Sequence, residues 1–369
     1  MKQNNNKIEA GEPLLVETQD PASVEVELHP IETVKEKKKW LKKPGVKLEK
    51  SGNIADILLL PFMWVSAILL KKMRIDSFQK FPRNKKLLMK IGVFPVVDHY
   101  YEPLFNNIHL KTKLSEPRNL PAIDWNISYQ QETLELFGYG EELKKFPVEK
   151  PSEDYSGFYY NNPSYQSGDA EMYYNYIRAY KPERIIEIGS GYSTLIALEA
   201  IRKNNEEMPG YSCELICIEP FENHWLEKLP VKVNRTMVEN LDTNYFDQLS
   251  NGDILFIDSS HIIRPYGDVL YIYNHILPRL SRGVMVHIHD IFTPRDYLED
   301  WLLLKNRFWN EQYLVEAFLA FNQRFKITTA MNFLTHFYPE MLEKVCPVMM
   351  EQIHAGKVRE PGSLWLRRV

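Results

Sequence analysis

The chain has 369 residues, 44% of them hydrophobic and 25% charged, which is enough for one large domain with appendages. A net charge of −4 excludes a general nucleic-acid binder, because such proteins carry a basic excess over the whole domain. Cys213, Cys217 and Cys346 are too few and too unevenly spaced for a disulfide framework or a cysteine zinc site, so a reducing, cytoplasmic setting is expected.

Residues 1–50 read as a disordered tail: Met1 to Pro30 has no apolar run of signal-peptide length and is rich in Asn, Glu and Asp. Residues 51–90 read as an apolar and basic helical segment. Between Lys35 and Lys90, sixteen Lys and Arg face only Glu36, Glu49, Asp56 and Asp76, and they flank the apolar stretch Ile54 to Leu70. As a helix that stretch measures roughly 26 Å, short of a hydrocarbon core of about 30 Å, and it contains Asp56, Pro61 and Ser66. Three readings stand: a buried core helix, a true span, or a peripheral element on the anionic inner membrane surface. In the last, Lys71, Lys72 and Arg74 on one side and Lys42, Lys43, Lys47 and Lys50 on the other meet the lipid.

Residues 91–164, interrupted by Phe94-Pro95, Glu102-Pro103 and Leu120-Pro121, read as a loop-rich cap with short helices. The fourth segment, residues 165–369, opens with a helix over Asp169 to Ala179 that stops at Lys181-Pro182. Arg184 to Ile188 is a β-branched strand, followed by Gly189-Ser190-Gly191 and a helical pattern over Leu195 to Arg202. Strand, glycine turn and helix bring backbone close to a ligand and aim a helix amino terminus at it, as nucleotide-type cofactor sites require.

A second strand, Glu214 to Ile218, ends in Glu219, a carboxylate placed to accept both hydroxyls of a ribose; an ordinary turn before Pro220 is the plainer reading. A weak strand over Val231 to Val238 precedes Glu239 and Asn240. Asp253 to Ile257 is a nearly all-apolar strand delivering Asp258-Ser259-Ser260-His261, and Gly283 to Ile288 delivers His289 and Asp290. The alternation implies a parallel sheet covered on both faces, with ligands at the carboxyl ends of its strands.

Glu187-x-Gly189-x-Gly191, Glu219 and Asp258, in this order, resemble the class I S-adenosylmethionine-dependent methyltransferases, over roughly Tyr165 to the carboxyl terminus. Glu-Ile-Gly-Ser-Gly-Tyr-Ser-Thr, Phe-Ile-Asp-Ser-Ser-His and Val-His-Ile-His-Asp-Ile-Phe further resemble a bacterial branch found with glycan biosynthesis. The resemblance implies an α/β, Rossmann-like, doubly wound seven-stranded sheet, mostly parallel, with Ser363 to Arg368 as its antiparallel last strand. It also implies S-adenosylmethionine as cofactor, with Glu187 near the methionine amine, Gly189 and Gly191 beneath the cofactor, Glu219 on the ribose, and Glu239 or Asn240 at the adenine. Asn162 and Asp169 lie where such enzymes cover the methionine end.

A sugar hydroxyl needs a base or a cation to become a nucleophile. His261 is the candidate base, and Asp258, His289 and Asp290 are candidate ligands of a divalent ion. Some macrolide-sugar O-methyltransferases place an acid at the end of strand four, a His three residues later and two acids after strand five. This chain has His289 in place of the first of those acids, and nitrogen there suits manganese, iron or zinc better than magnesium. The plainer reading makes Asp258 and Asp290 helix caps and His287 and His289 polar strand ends. The expectation is therefore an O-methyltransferase acting on a small molecule or glycan intermediate, without a nucleic-acid partner. An N-methyltransferase and a non-catalytic membrane-surface adaptor on the same fold are the alternatives, and a two-histidine-one-carboxylate iron oxygenase would need an antiparallel barrel that nothing in the chain predicts.

Overall fold

The computed structural model describes residues 54–369, and the chain divides into two units, one ending at Pro95 and the other running from Val96 to Val369. The tail expected over residues 1–50 lies outside the described residues.

The first unit holds α1 (Ile54–Ile75) and α2 (Pro82–Ile91). Helix α1 runs five residues past the apolar stretch, because Lys71, Lys72, Met73 and Arg74 are themselves good helix formers. None of its residues is buried, so among the described residues the core-helix reading does not hold. Pro82 starts α2, and Gly92, in the left-handed region at φ +83°, ends it by donating to the carbonyls of Leu88 and Met89.

In the second unit, α3 (Ile127–Glu135) and α4 (Gly140–Leu143) are the short helices of an otherwise loop-rich stretch. Next come α5 (Asp169–Tyr180), β1 (Arg184–Ile188), α6 (Tyr192–Glu207), β2 (Glu214–Ile218), β3 (Lys232–Asn234) and β4 (Ile254–Ile257). Helix α7 (Asp268–Tyr271), which continues as a wider π turn to Ile276, leads to β5 (Met285–Ile288) and α8 (Glu311–Phe321). The chain ends with β6 (Phe325–Ala330), α9 (Met331–Phe337), α10 (Pro347–His354) and β7 (Leu364–Arg368).

The seven strands lie in the order β3-β2-β1-β4-β5-β7-β6. β1 to β5 pair in parallel, and β7 enters antiparallel between β5 and β6, the mixed sheet that the sequence resemblance implies. Every residue of β4 is fully buried, and because alternate residues point to opposite faces, both faces of the sheet are covered. On one face Tyr173 of α5 and Thr194 of α6 meet Glu187 of β1, and Tyr176 stacks on Trp365 of β7 at 3.8 Å between ring centroids.

The reversal from β3-β2-β1 to β4-β5 makes β1 and β4 neighbours, and their carboxyl ends nearly touch. Gly189 sits at φ +81°, and a Cβ on it would fall 2.0 Å from the carbonyl oxygen of Asp258. Only glycine satisfies both constraints. Gly189→Ala should therefore lose about 3 kcal/mol or more of unfolding free energy in denaturant titrations; a wild-type midpoint would contradict this reading of the strand ends.

Candidate functional site

Main-chain hydrogen bonds continue past the strand ends and set a row of residues along one rim. Gly189 N–H donates to Ile218 O (3.0 Å), Asp258 N–H to Ile188 O (2.8 Å) and His289 N–H to Ile257 O (2.9 Å). The glycine turn, Asp258 and His289 thus leave neighbouring strands side by side, at the topological switch point where open α/β sheets bind ligands.

The glycine turn is braced from below. Gly191 N–H donates to Thr194 Oγ1 (3.2 Å), whose hydroxyl donates to Glu187 Oε2 (2.5 Å), while Tyr173 donates to Glu187 Oε1 (3.1 Å). Glu187 is fully buried beneath the turn, and burial, only partly offset by Thr194 and Tyr173, pushes its carboxyl up to about 7. A Cβ on Gly191 would fall 3.1 Å from Asn223 Nδ2, which donates to Ser190 O (2.8 Å), so the Asn223 side chain lies against the turn at the start of sixteen-residue α6 and leaves no room there for a side chain. Glu219 stands at the end of β2, half-buried; Oε1 accepts from Phe221 and Glu222 N–H (3.0 and 2.9 Å), and Oε2 lies 3.4 Å from Ser190 N. Its carboxylate is thereby fixed at the edge of the turn with lone pairs to spare. Glu239 and Asn240 lie in a 3₁₀ turn after β3, half-buried and exposed respectively.

The second cluster gathers at the ends of β4 and β5. His261 Nδ1 donates to Glu311 Oε2 (2.9 Å), and its Nε2 lies 3.2 Å from Asp258 Oδ1 and 3.5 Å from Asp290 Oδ2. His289 Nδ1 is 3.5 Å from Asp258 Oδ1 and 3.6 Å from Asp290 Oδ1, and its Nε2 is 3.6 Å from Asp169 Oδ2. All four residues expected here converge. The three ligand atoms within 4.8 Å of one another belong to Asp258, His261 and Asp290, whereas the ligand set expected from sequence had His289 in place of His261. His289 Nδ1 is buried with no hydrogen-bond partner between its two carboxylates, a donor set with room for a further bond.

Burial opposes charge throughout the cluster, and the pairing mostly outweighs it. His261 is pushed up to about 10 by Asp258 and Glu311, and Asp290 and Asp258 hold His289 well above the usual imidazole range. Asp258 falls well below the usual carboxylate range through His289 and His261, a pull that solvent screens because its side chain is 36% exposed. Burial wins at Asp290, whose carboxyl is raised.

Sequence reasoning missed Glu311. It is fully buried, fifty residues from His261, and arrives because Asn310 and Glu311 N–H both donate to His261 O (3.0 and 3.1 Å) while Asn310 Oδ1 accepts from Ile263 N–H (2.6 Å). At the start of α8 an acid reads as an ordinary partner of the helix dipole, so no local signal sets it apart. Of the two cover candidates, Asn162 braces its own loop through Tyr159 O, Tyr165 O and the Ser164 and Tyr165 amides, while Asp169 accepts from Ser363 and Gly362 N–H beside His289. His287 is sequestered with Nε2 3.1 Å from Ser363 Oγ, and it takes no part in the cluster.

Residues 186–291 match the family model of a methyltransferase domain. The match runs from β1 to just past β5 and so includes the glycine turn, Glu219, Asp258, His261, His289 and Asp290. An uncharacterized protein of Archaeoglobus fulgidus is 28% identical over 185 residues, covering 47% of this chain and 81% of that protein. Among solved structures, the plantazolicin methyltransferase BpumL, in complex with a desmethyl analogue and SAH, is 19% identical over 54% of this chain and 81% of its own, at a TM-score of 0.32. MycE methyltransferase from the mycinamycin biosynthetic pathway, in complex with Mg and SAH, is 13% identical over 53% of this chain and 48% of its own, at a TM-score of 0.27.

The buried Glu187 gives a test of how the turn is supported. Its folded carboxyl binds a proton more tightly than the unfolded one, so the stability it contributes is complete below about pH 4.5 and lost as pH rises through about 7. Between about pH 5 and pH 8 the wild-type Tm should fall more steeply than that of Glu187→Gln. Parallel profiles in differential scanning calorimetry would contradict it.

Proposed function

We propose that the protein transfers a methyl group from S-adenosylmethionine to a hydroxyl oxygen of a small molecule, a sugar or glycan intermediate. The observation that carries this reading is the His261–Glu311 pair at the strand rim beside the glycine turn. An amine acceptor is nucleophilic as its free base, whereas a hydroxyl must lose its proton, so a histidine backed by a buried carboxylate favours oxygen over nitrogen. Retention of Gly189, Gly191, Glu219, Asp258 and His261 in one site favours an enzyme over an adaptor.

The residues present fit the cofactor. Gly191 puts bare backbone at the α6 amino terminus, where a cofactor could contact it, and Glu219 offers the ribose diol a fixed carboxylate. When bound, S-adenosylmethionine supplies an electrophilic methyl whose transfer breaks the carbon–sulfur bond as the carbon–oxygen bond forms. With its pKa raised to about 10, His261 is an imidazolium at neutral pH, so it must first give up its Nε2 proton before that nitrogen can take the hydroxyl proton, and turnover should rise with pH toward 10. Glu311 holds the Nδ1–H tautomer and stabilises the imidazolium that results, and Trp309, 4.4 Å from the His261 ring between centroids, limits the ring's freedom. A divalent cation would be held by Asp258 and Asp290 and would lower the charge on a developing alkoxide; if His261 completed that set, its Nε2 would be a ligand and not the base.

His261→Ala should lower turnover by roughly 10²–10⁴ while leaving S-adenosylhomocysteine affinity nearly unchanged by calorimetry. Glu219→Ala should instead weaken that affinity by about 1.5–3 kcal/mol. If both variants bind and turn over as wild type does, the assignment fails. Excess chelator separates the two roles of the second cluster: loss of activity restored by a divalent ion supports a cation on Asp258 and Asp290, and full activity with no metal by elemental analysis leaves His261 as an unassisted base.

A further inference from the structure

Helix α1 has no polar face. From Ile57 to Leu70 the only polar side chain is Ser66, and Ile57, Leu58, Phe62, Met63 and Trp64, spread around the helix, are each more than half exposed. A helix apolar on every side belongs in a protein core or in lipid, whereas one that docks in a groove keeps a polar side for water. Nothing among the described residues buries it. Residues 35–53, which precede it in the sequence, carry eight lysines.

Its dimensions fit a bilayer. Twenty-two residues span about 33 Å against a hydrocarbon core of about 30 Å. The charge-free centre, Ile57 to Leu70, is about 21 Å long, and the long side chains of Lys71 and Lys72 extend its reach to the headgroup level. Asp56 lies within the first turn, at the opposite boundary. Pro61 costs a backbone hydrogen bond, a cost that membrane helices tolerate. Eight Lys and Arg follow in residues 71–90 with Asp76 the one acid among them, matching the eight lysines on the other side. This balance suits anionic headgroups and fixes the depth of the helix without choosing its direction.

We propose that α1 is a lipid-embedded helix that anchors the chain in a bilayer containing anionic lipid. The inference stands apart from the methyl-transfer reading. Full-length protein reconstituted with vesicles of phosphatidylglycerol and phosphatidylethanolamine should float with them through washes in high salt and alkaline carbonate, and only detergent should release it. Leu59→Arg combined with Val65→Arg should cut the floating fraction at least about tenfold, while the second unit keeps its wild-type unfolding transition. Release of the wild-type chain by salt alone would overturn the proposal in favour of surface attraction. A stable vesicle-free oligomer would overturn it in favour of a second copy covering the helix, and a cellular chain that begins after Ile75 would overturn it in favour of a removed targeting segment.

Discussion

The site depends on main-chain hydrogen bonds that run on past the ends of four adjacent strands. Asn234 O to Glu219 N, Ile218 O to Gly189 N, Ile188 O to Asp258 N and Ile257 O to His289 N lock the rim in register. Neighbouring strands are about 4.8 Å apart, so residues delivered by successive strand ends fall within reach of one ligand. Glycine at 189 is what allows this closeness, since any side chain there would enter the Asp258 carbonyl.

On that fixed rim the polar groups are held under tension. His261 and Asp290 both adopt φ +58°, a left-handed conformation that costs non-glycine residues of order 1–3 kcal/mol. The surroundings over-determine each of them: Asn310 and Glu311 grip the carbonyl of His261, and Gly362 lies so close to Asp290 that a Cβ there would come within 2.9 Å of its Cα. Asp258, Asp290 and Glu311 outnumber the two histidines they face, which makes the cluster attractive to a cation and His261 a strong proton acceptor.

Sequence alone located what short-range pattern controls. β1 and β2 match residue for residue because each is a compact apolar run, one preceded by Lys181-Pro182 and the other ended by Glu219-Pro220. β3 shrinks from Val231–Val238 to Lys232–Asn234 because it is an edge strand: its continuation is drawn away by Arg235, which donates to Glu219 O and to the Glu227 carboxylate, and by the 3₁₀ turn after it. Helix α6 begins three residues earlier than the apolar pattern, at the glycine turn itself, and its polar end, Lys203 to Glu207, stays helical by propensity. The motif residues and the two histidine-bearing strand ends were legible, whereas Glu311 was not, because a contact across fifty residues leaves no local trace. The burial of Glu187 was equally hidden, since only the packing of α5 and α6 decides which strand face is closed.

The central claim is that the glycine turn, Glu219 and the Asp258–His261 loop form one cofactor site. Ultraviolet cross-linking of radiolabelled S-adenosylmethionine to the full-length chain, followed by peptide mapping, tests it most directly. The account predicts a saturable label, displaced by S-adenosylhomocysteine and not by NAD, on peptides covering residues 187–219, 238–241 or 258–261. Label confined to other peptides, or displaced by NAD, would contradict it.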